Sequence, residues 1–162
     1  TTYFNNLTVE IKHKFSPKFR MIAQYCDEAY NKDVIQQEVG YGIIHANIGV
    51  LDAYWRISDE HTLHVEAQEM YTMQDQRSWM CGLAEFNFGS DWFIGALDQY
   101  NYGNADAASR IHYLTVTGGY TKNAYRITLG YGKTRAGILC VGGVCRQIPA
   151  SDGITLSITD SF

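Results

Sequence analysis

The chain has 162 residues, a net charge of −4 at pH 7 and a charged fraction of 19%, below the usual quarter. The negative balance leaves no electrostatic case for nucleic acid, and no apolar run reaches the roughly eighteen residues of a transmembrane helix. Aromatics make up 14%, with 12 Tyr and 15 Gly against 2 Pro, a composition that suits strands and aromatic belts. A membrane protein stays open on these numbers, because barrel strands alternate and score low on hydropathy. The chain begins Thr1-Thr2-Tyr3, with neither Met nor a signal-peptide core, and reads as a mature product or a piece of something longer.

Residues 4–15 set Leu7, Val9, Ile11, His13 and Phe15 on one face and Thr8, Glu10, Lys12 and Lys14 on the other, the period of two of a strand. Ser16-Pro17-Lys18 is a turn signal. Residues 18–28 place Phe19, Met21, Ala23 and Tyr25 opposite Arg20, Gln24, Cys26 and Glu28. A polar stretch follows over 27–42. Residues 43–57 are rich in Ile, Val and aromatics, but two alternation frames compete, so their facing is left open. Residues 58–61 make the next turn. Residues 62–73 set Leu63, Val65, Ala67, Tyr71 and Met73 against His64, Glu66, Gln68 and Thr72.

After a short connection at 74–78, residues 79–88 set Met80, Ala84, Phe86 and Phe88 against Cys81, Glu85 and Asn87. Residues 89–91 turn the chain. Residues 92–102 carry Trp92, Ile94, Ala96, Tyr100 and Tyr102 in register, interrupted by Asp98. A small-residue loop spans 103–109. Residues 110–121 and 124–135 are two further strands about the tight turn Lys122-Asn123, and 136–152 is a longer connection. The last strand, 153–162, alternates Ile154, Leu156 and Ile158 with Thr155, Ser157 and Thr159, broken on the apolar side by Asp160. The expectation is a continuous antiparallel meander of about nine strands, long by soluble standards, with no internal domain boundary.

A final amphipathic strand closing on Phe162 resembles the C-terminal strand of bacterial outer-membrane β-barrels, where the terminal aromatic is part of the assembly signal. The stretch Gly137 to Phe162, with its Cys-x4-Cys and the run Arg146-Gln147-Ile148-Pro149-Ala150-Ser151, is similar to the C-terminal end of a Bacteroidota family of outer-membrane β-barrel proteins with no assigned activity. There this region ends a much longer polypeptide. The resemblance implies a fold and a location, and carries over no catalytic residue.

If the C-terminus is periplasmic, as the resemblance implies, the tight turns at 16–18, 58–61, 89–91 and 122–123 share one side. The connections at 27–42, 74–78, 103–109 and 136–152 share the other, and only 74–78 is short. Short periplasmic turns with longer outer loops are the outer-membrane rule. Phe15, Phe19, Tyr54, Trp55, Phe88, Trp92, Tyr120, Tyr125 and Phe162 gather beside the tight turns as girdle candidates. The expected fold is therefore all-β, an antiparallel up-and-down transmembrane β-barrel. Residues 1–162 form a single segment, the C-terminal part of a larger barrel whose odd strand count requires upstream strands or another outer-membrane subunit to close it. The expected partner besides these is the lipid bilayer of the outer membrane.

Function is expected to be non-enzymatic, as a pore or as a structural subunit of an outer-membrane complex. Glu10, Lys12, Lys14, Arg20, Glu28, His64, Glu66, Glu85 and Arg126 fall on the lumen-facing side. They either set ion selectivity in a pore or pair across a filled interior, and the packed interiors of small barrels favour pairing. His64 and Glu66 stand two apart on one face, a spacing that suits a metal, but a lone pair makes no site, and no metal or cofactor is expected. The competing classes are an outer-membrane enzyme built on Asp106, Ser109, His112 and Ser151 at the outer rim, and a soluble ligand-binding barrel with its apolar faces turned inward.

Cys140 and Cys145 flank Val141-Gly142-Gly143-Val144, a four-residue hairpin loop that would set the two thiols opposite each other. A disulfide, two free thiols and a two-ligand metal fragment are the alternatives, and the oxidising cell surface favours the first. Cys26 and Cys81 lie on separate strands and are expected unpaired. Mass spectrometry without reduction is expected to find 140 and 145 linked; unmodified thiols at both positions would refute the link.

Overall fold

A computed structural model describes residues 3–141 and 144–160, with side chains described outside 137–146. The nine expected strands form one antiparallel sheet in simple meander order. They are β1 (Phe4–Ser16), β2 (Phe19–Asn31), β3 (Ile43–Arg56), β4 (His61–Tyr71), β5 (Trp79–Phe88), β6 (Trp92–Tyr100), β7 (His112–Lys122), β8 (Tyr125–Thr134) and β11 (Ser151–Asp160). Further elements lie within the longer connections, among them a 3-10 turn at Ala107–Ser109. A one-turn helix, α1 (Lys32–Ile35), follows β2, and a separate hairpin, β9 (Gly137–Val141) with β10 (Val144–Ile148), interrupts the 136–152 connection. The hairpin stands where Cys140 and Cys145 were expected to face each other, with arms of five residues each. β1 and β11 end the sheet and do not pair with each other, so it is not closed within the described residues.

The turns use local chemistry. Ser16 Oγ accepts from the Lys18 and Phe19 amides at 3.2 and 3.0 Å, capping the β1–β2 turn. Asn123 adopts φ 54°, the left-handed conformation that Asn tolerates in a two-residue hairpin loop. The connections sort by side more cleanly than expected. At one end of the sheet β1–β2, β3–β4, β5–β6 and β7–β8 are joined by two, four, three and two residues. At the other end the connections hold eleven, seven, eleven and sixteen. The β4–β5 connection, read as short, lengthens because β4 ends at Tyr71.

The register joins the strands into two continuous faces. Ile11, Ala23, Leu51, Ala67 and Gly82 form one cross-strand row, and Tyr120, Ile127 and Ile158 belong to another on the same face. This face is apolar, yet it is the open one: Ile154, Leu156 and Ile158 are 62–77% exposed. The opposite face is polar, yet Thr115, Thr117 and Thr128 on it are only 6–7% exposed. A single layer can shelter short hydroxyl side chains to that degree only by curling about them and folding chain over them. Ile148 packs on the buried Phe93, and the Arg135 guanidinium lies 3.8 Å over the Trp79 ring, so the segment after β8 covers this inner face.

Strand β3 resolves its ambiguity here. Ile44, Ala46, Asp52 and Tyr54 share the inner face, while Leu51 and Trp55 share the outer one. Tyr54, counted as a girdle aromatic, is therefore an inner-face residue. Phe162 lies outside the described residues.

The inner face is closely packed at Gly119. A Cβ at Gly119 would stand 2.3 Å from a ring carbon of Phe93. Gly119→Val is expected to lower the folding free energy by about 1–3 kcal/mol, as overpacking does, read as the urea midpoint of refolded protein. Phe93→Leu in the same chain should restore part of it.

Candidate functional site

The inner face carries the chemistry. The register puts Glu10, Lys12, Arg20, His64, Glu66, Glu85 and Arg126 on it together. Leu129, Ile127, Leu156 and Ile158 lie on the outer face, opposite in orientation to Arg126, Thr128, Thr155 and Ser157. Lys12 bonds Glu10 on its own strand at 2.9 Å. Arg20 lies 4.3 Å over the Tyr54 ring and Arg126 4.7 Å over the Phe93 ring. Glu85 accepts from Asn87 Nδ2 at 3.1 Å and Arg126 donates to Thr121 Oγ1 at 3.2 Å.

The densest cluster centres on His64. Arg20, Tyr54, His64 and Glu85 make one cross-strand row, and Asp52, Glu66 and Leu83 belong to the next. The His64 ring stacks on Tyr54 with centroids 4.1 Å apart, and its Nε2 meets Asp52 Oδ2 at 2.8 Å. Asp52 is the member that sequence reading missed, because β3's facing was open. Its distance of two residues from Tyr54 placed it correctly only once that facing was known.

The rim candidates for enzymatic chemistry are engaged separately. His112 Nδ1 bonds Asp98 at 2.6 Å and its ring stacks on Tyr100. Ser109 Oγ donates to Asp106 at 3.0 Å within a 3-10 turn, and Ser151 Oγ bonds Thr134 at 2.8 Å. Asp98, which interrupts the apolar face of β6, thus finds its partner across the β6–β7 ladder.

The outer face is zoned along the strands. Beside the short turns, Phe15 and Phe19 lie 5.4 Å apart, Phe88 and Trp92 6.5 Å, and Trp92 and Tyr120 4.7 Å, giving an aromatic row. Toward the long connections come Asp27, Glu69, Asp98 and His112. On β2, β6 and β7 the outer-face aromatics Phe19, Trp92 and Tyr120 stand eight, six and eight residues from Asp27, Asp98 and His112, roughly 20–26 Å at about 3.3 Å per residue.

Cys26 and Cys81 are free. The β9–β10 register sets Cys140 opposite Cys145, and pairing continues through Val141 and Val144, closer to the tip than the four-residue loop expected. Their sulfur atoms lie outside the described residues.

The fold is all-β, one open antiparallel sheet of nine strands with an apolar face and a polar one. The chain belongs to DUF6029, a family of unknown function, whose family model it matches over residues 1–162. No curated protein and no solved structure matches it.

The long connections are tied together at the rim. Lys32 Nζ, on a side chain 7% exposed, bonds Asp75 at 2.8 Å and Glu38 at 2.9 Å, and sits 4.0 Å over the Tyr41 ring. Burial alone would lower its pKa, but the hydrogen bonds to Asp75 and Glu38 outweigh it and raise the pKa above the lysine range. The Asp33 carboxyl is held below its usual range by the backbone amides of Gly42 and Tyr41. By linkage, the Lys32 contribution is complete below the ordinary lysine pKa and is lost only as pH rises through the raised one. Asp33's is complete above the carboxylate range and is lost as pH falls through its lowered pKa. Lys32→Met is expected to cost about 2–3 kcal/mol by stranding Asp75, and to expose residues 36–42 to limited proteolysis at pH 7.

Proposed function

We propose that this chain is a wall segment of a transmembrane β-barrel in a bacterial outer membrane, with a structural rather than an enzymatic role. The observation that carries the reading is the inverted polarity of the sheet. Large apolar side chains stand open on all nine strands of the sheet, from Leu7 on β1 to Ile158 on β11, while on the opposite face Glu85, Thr115, Thr117 and Thr128 are buried. Soluble monomers seldom expose an apolar patch of more than a few hundred Å², and a bilayer is the solvent in which such a face is favourable. The likeness of residues 137–162 to the Bacteroidota barrel family supports the same location. Ile148 and Arg135 lie over the inner face at Phe93 and Trp79, a covering that favours a structural subunit over an open pore.

In lipid the free edges of β1 and β11 must be hydrogen-bonded, since each unsatisfied backbone group costs several kcal/mol there. The proposal therefore includes pairing of β1 with strands outside these residues, from the same polypeptide or a second subunit.

The test uses the three tryptophans. Trp55 and Trp92 are outer-face and about half exposed, whereas Trp79 is inner-face and buried. In single-Trp variants reconstituted into brominated-lipid vesicles, Trp55 and Trp92 fluorescence is expected to be quenched and Trp79 spared. Equal quenching at all three, or none, would overturn the reading. Leu156→Arg should then cost about 2–4 kcal/mol in the bilayer, and the neighbouring Ser157→Arg much less.

A further inference from the structure

We infer that Asp52, His64 and Glu66 form a divalent-cation site on the inner face, tying β3 to β4. One ligand atom from each lies within 4.8 Å of the others. With metal–ligand bonds of about 2.1 Å, neighbouring ligands on an ion stand about 3.0–3.4 Å apart, so small rotamer adjustments complete the site. Two independent features point to a cation. First, Asp52 and Glu66 are directly opposite each other on the ladder, a like-charge pairing that is unfavourable unless something positive lies between them. Second, the Asp52 side chain is only 14% exposed, and its Oδ1 is buried with no hydrogen-bond partner, although Oδ2 bonds His64. A buried carboxylate oxygen left unpaired is costly, and a metal would satisfy it.

The surroundings suit the ligand set. Glu85 stands opposite His64 on the far side and adds a third carboxylate, 6% exposed, in the outer ring of the site. The nearest cation in the row, Arg20, is separated from His64 by the Tyr54 ring, on which both stack. That ring fixes the imidazole plane, as the outer shell of a metal site does. One imidazole with two carboxylates, leaving positions for water, is a set that Zn²⁺ and Mn²⁺ accept.

The experiment is zinc titration by calorimetry of tag-free, EDTA-stripped protein in detergent, in a Cys140→Ser, Cys145→Ser background that removes thiol ligands near the hairpin. One site per chain is expected, with a micromolar or lower Kd. It should weaken at least tenfold in His64→Gln and in Asp52→Asn, and stay unchanged in Lys12→Gln. A second readout needs no site variant: in ¹⁵N-histidine NMR spectra, zinc should move the His64 ring nitrogens and leave those of His112 in place. Absence of zinc binding, binding unaffected by the two substitutions, or an unmoved His64 signal would overturn the inference.

Discussion

The structure depends on one constraint, that a single-layer sheet of nine strands must choose which face to give to the solvent. It leaves the apolar one open and buries polar side chains on β5, β7 and β8. Fully burying a Leu or Ile side chain from water is worth about 1.5–3 kcal/mol, so an open face carrying Ile154, Leu156 and Ile158 on one strand alone forgoes several such contributions in water. In hydrocarbon the same arrangement is favourable, and the cost moves to polar groups. Those groups are accordingly placed inward, where neighbouring rings, hydroxyls and carboxylates can engage them.

The inner face divides along the sheet. On β7 and β8 small inner-face residues, Thr117, Gly119 and Thr128, lie beside Phe93, with Gly119 directly opposite it. On β2 to β5 the inner-face residues are charged or aromatic, with Arg20, Tyr54, Asp52, His64, Glu66 and Glu85 in two adjoining rows. Close packing thus marks one side, and ionisable chemistry collects on the other. The long connections complete the arrangement. Lys32 bridges the β2–β3 and β4–β5 loops, and the Gly103 amide bonds the Ser78 carbonyl at 3.0 Å, joining the β6–β7 loop to them. A rim linked in this way holds the strand ends in place without a second layer.

Much of this was legible in the sequence, for a physical reason. Side-chain alternation is a property of neighbouring residues, so Leu7 to Ile11, Met80 to Phe88 and Ile154 to Ile158 announce strand, face and length without any tertiary information. Turn chemistry is equally local: Ser16-Pro17 and Lys122-Asn123 mark their hairpins, and the spacing between such signals sorts the connections by side. What failed was also local in origin. β3 is apolar on both faces for much of its length, so Asp52 had no assigned side.

By itself, then, the sequence determined the antiparallel meander, its order, and the facing of eight of its nine main strands, because each follows from a repeat of two residues and a few turn signals. Only the tertiary structure decided the rest. Cross-strand register set β3's facing and brought Asp52 opposite Glu66 and within hydrogen-bond reach of His64. The curl of the sheet set the hairpin's base against Phe93 and left β1 and β11 as separate edges. These features join residues distant in the chain, and no local period encodes a distance across strands.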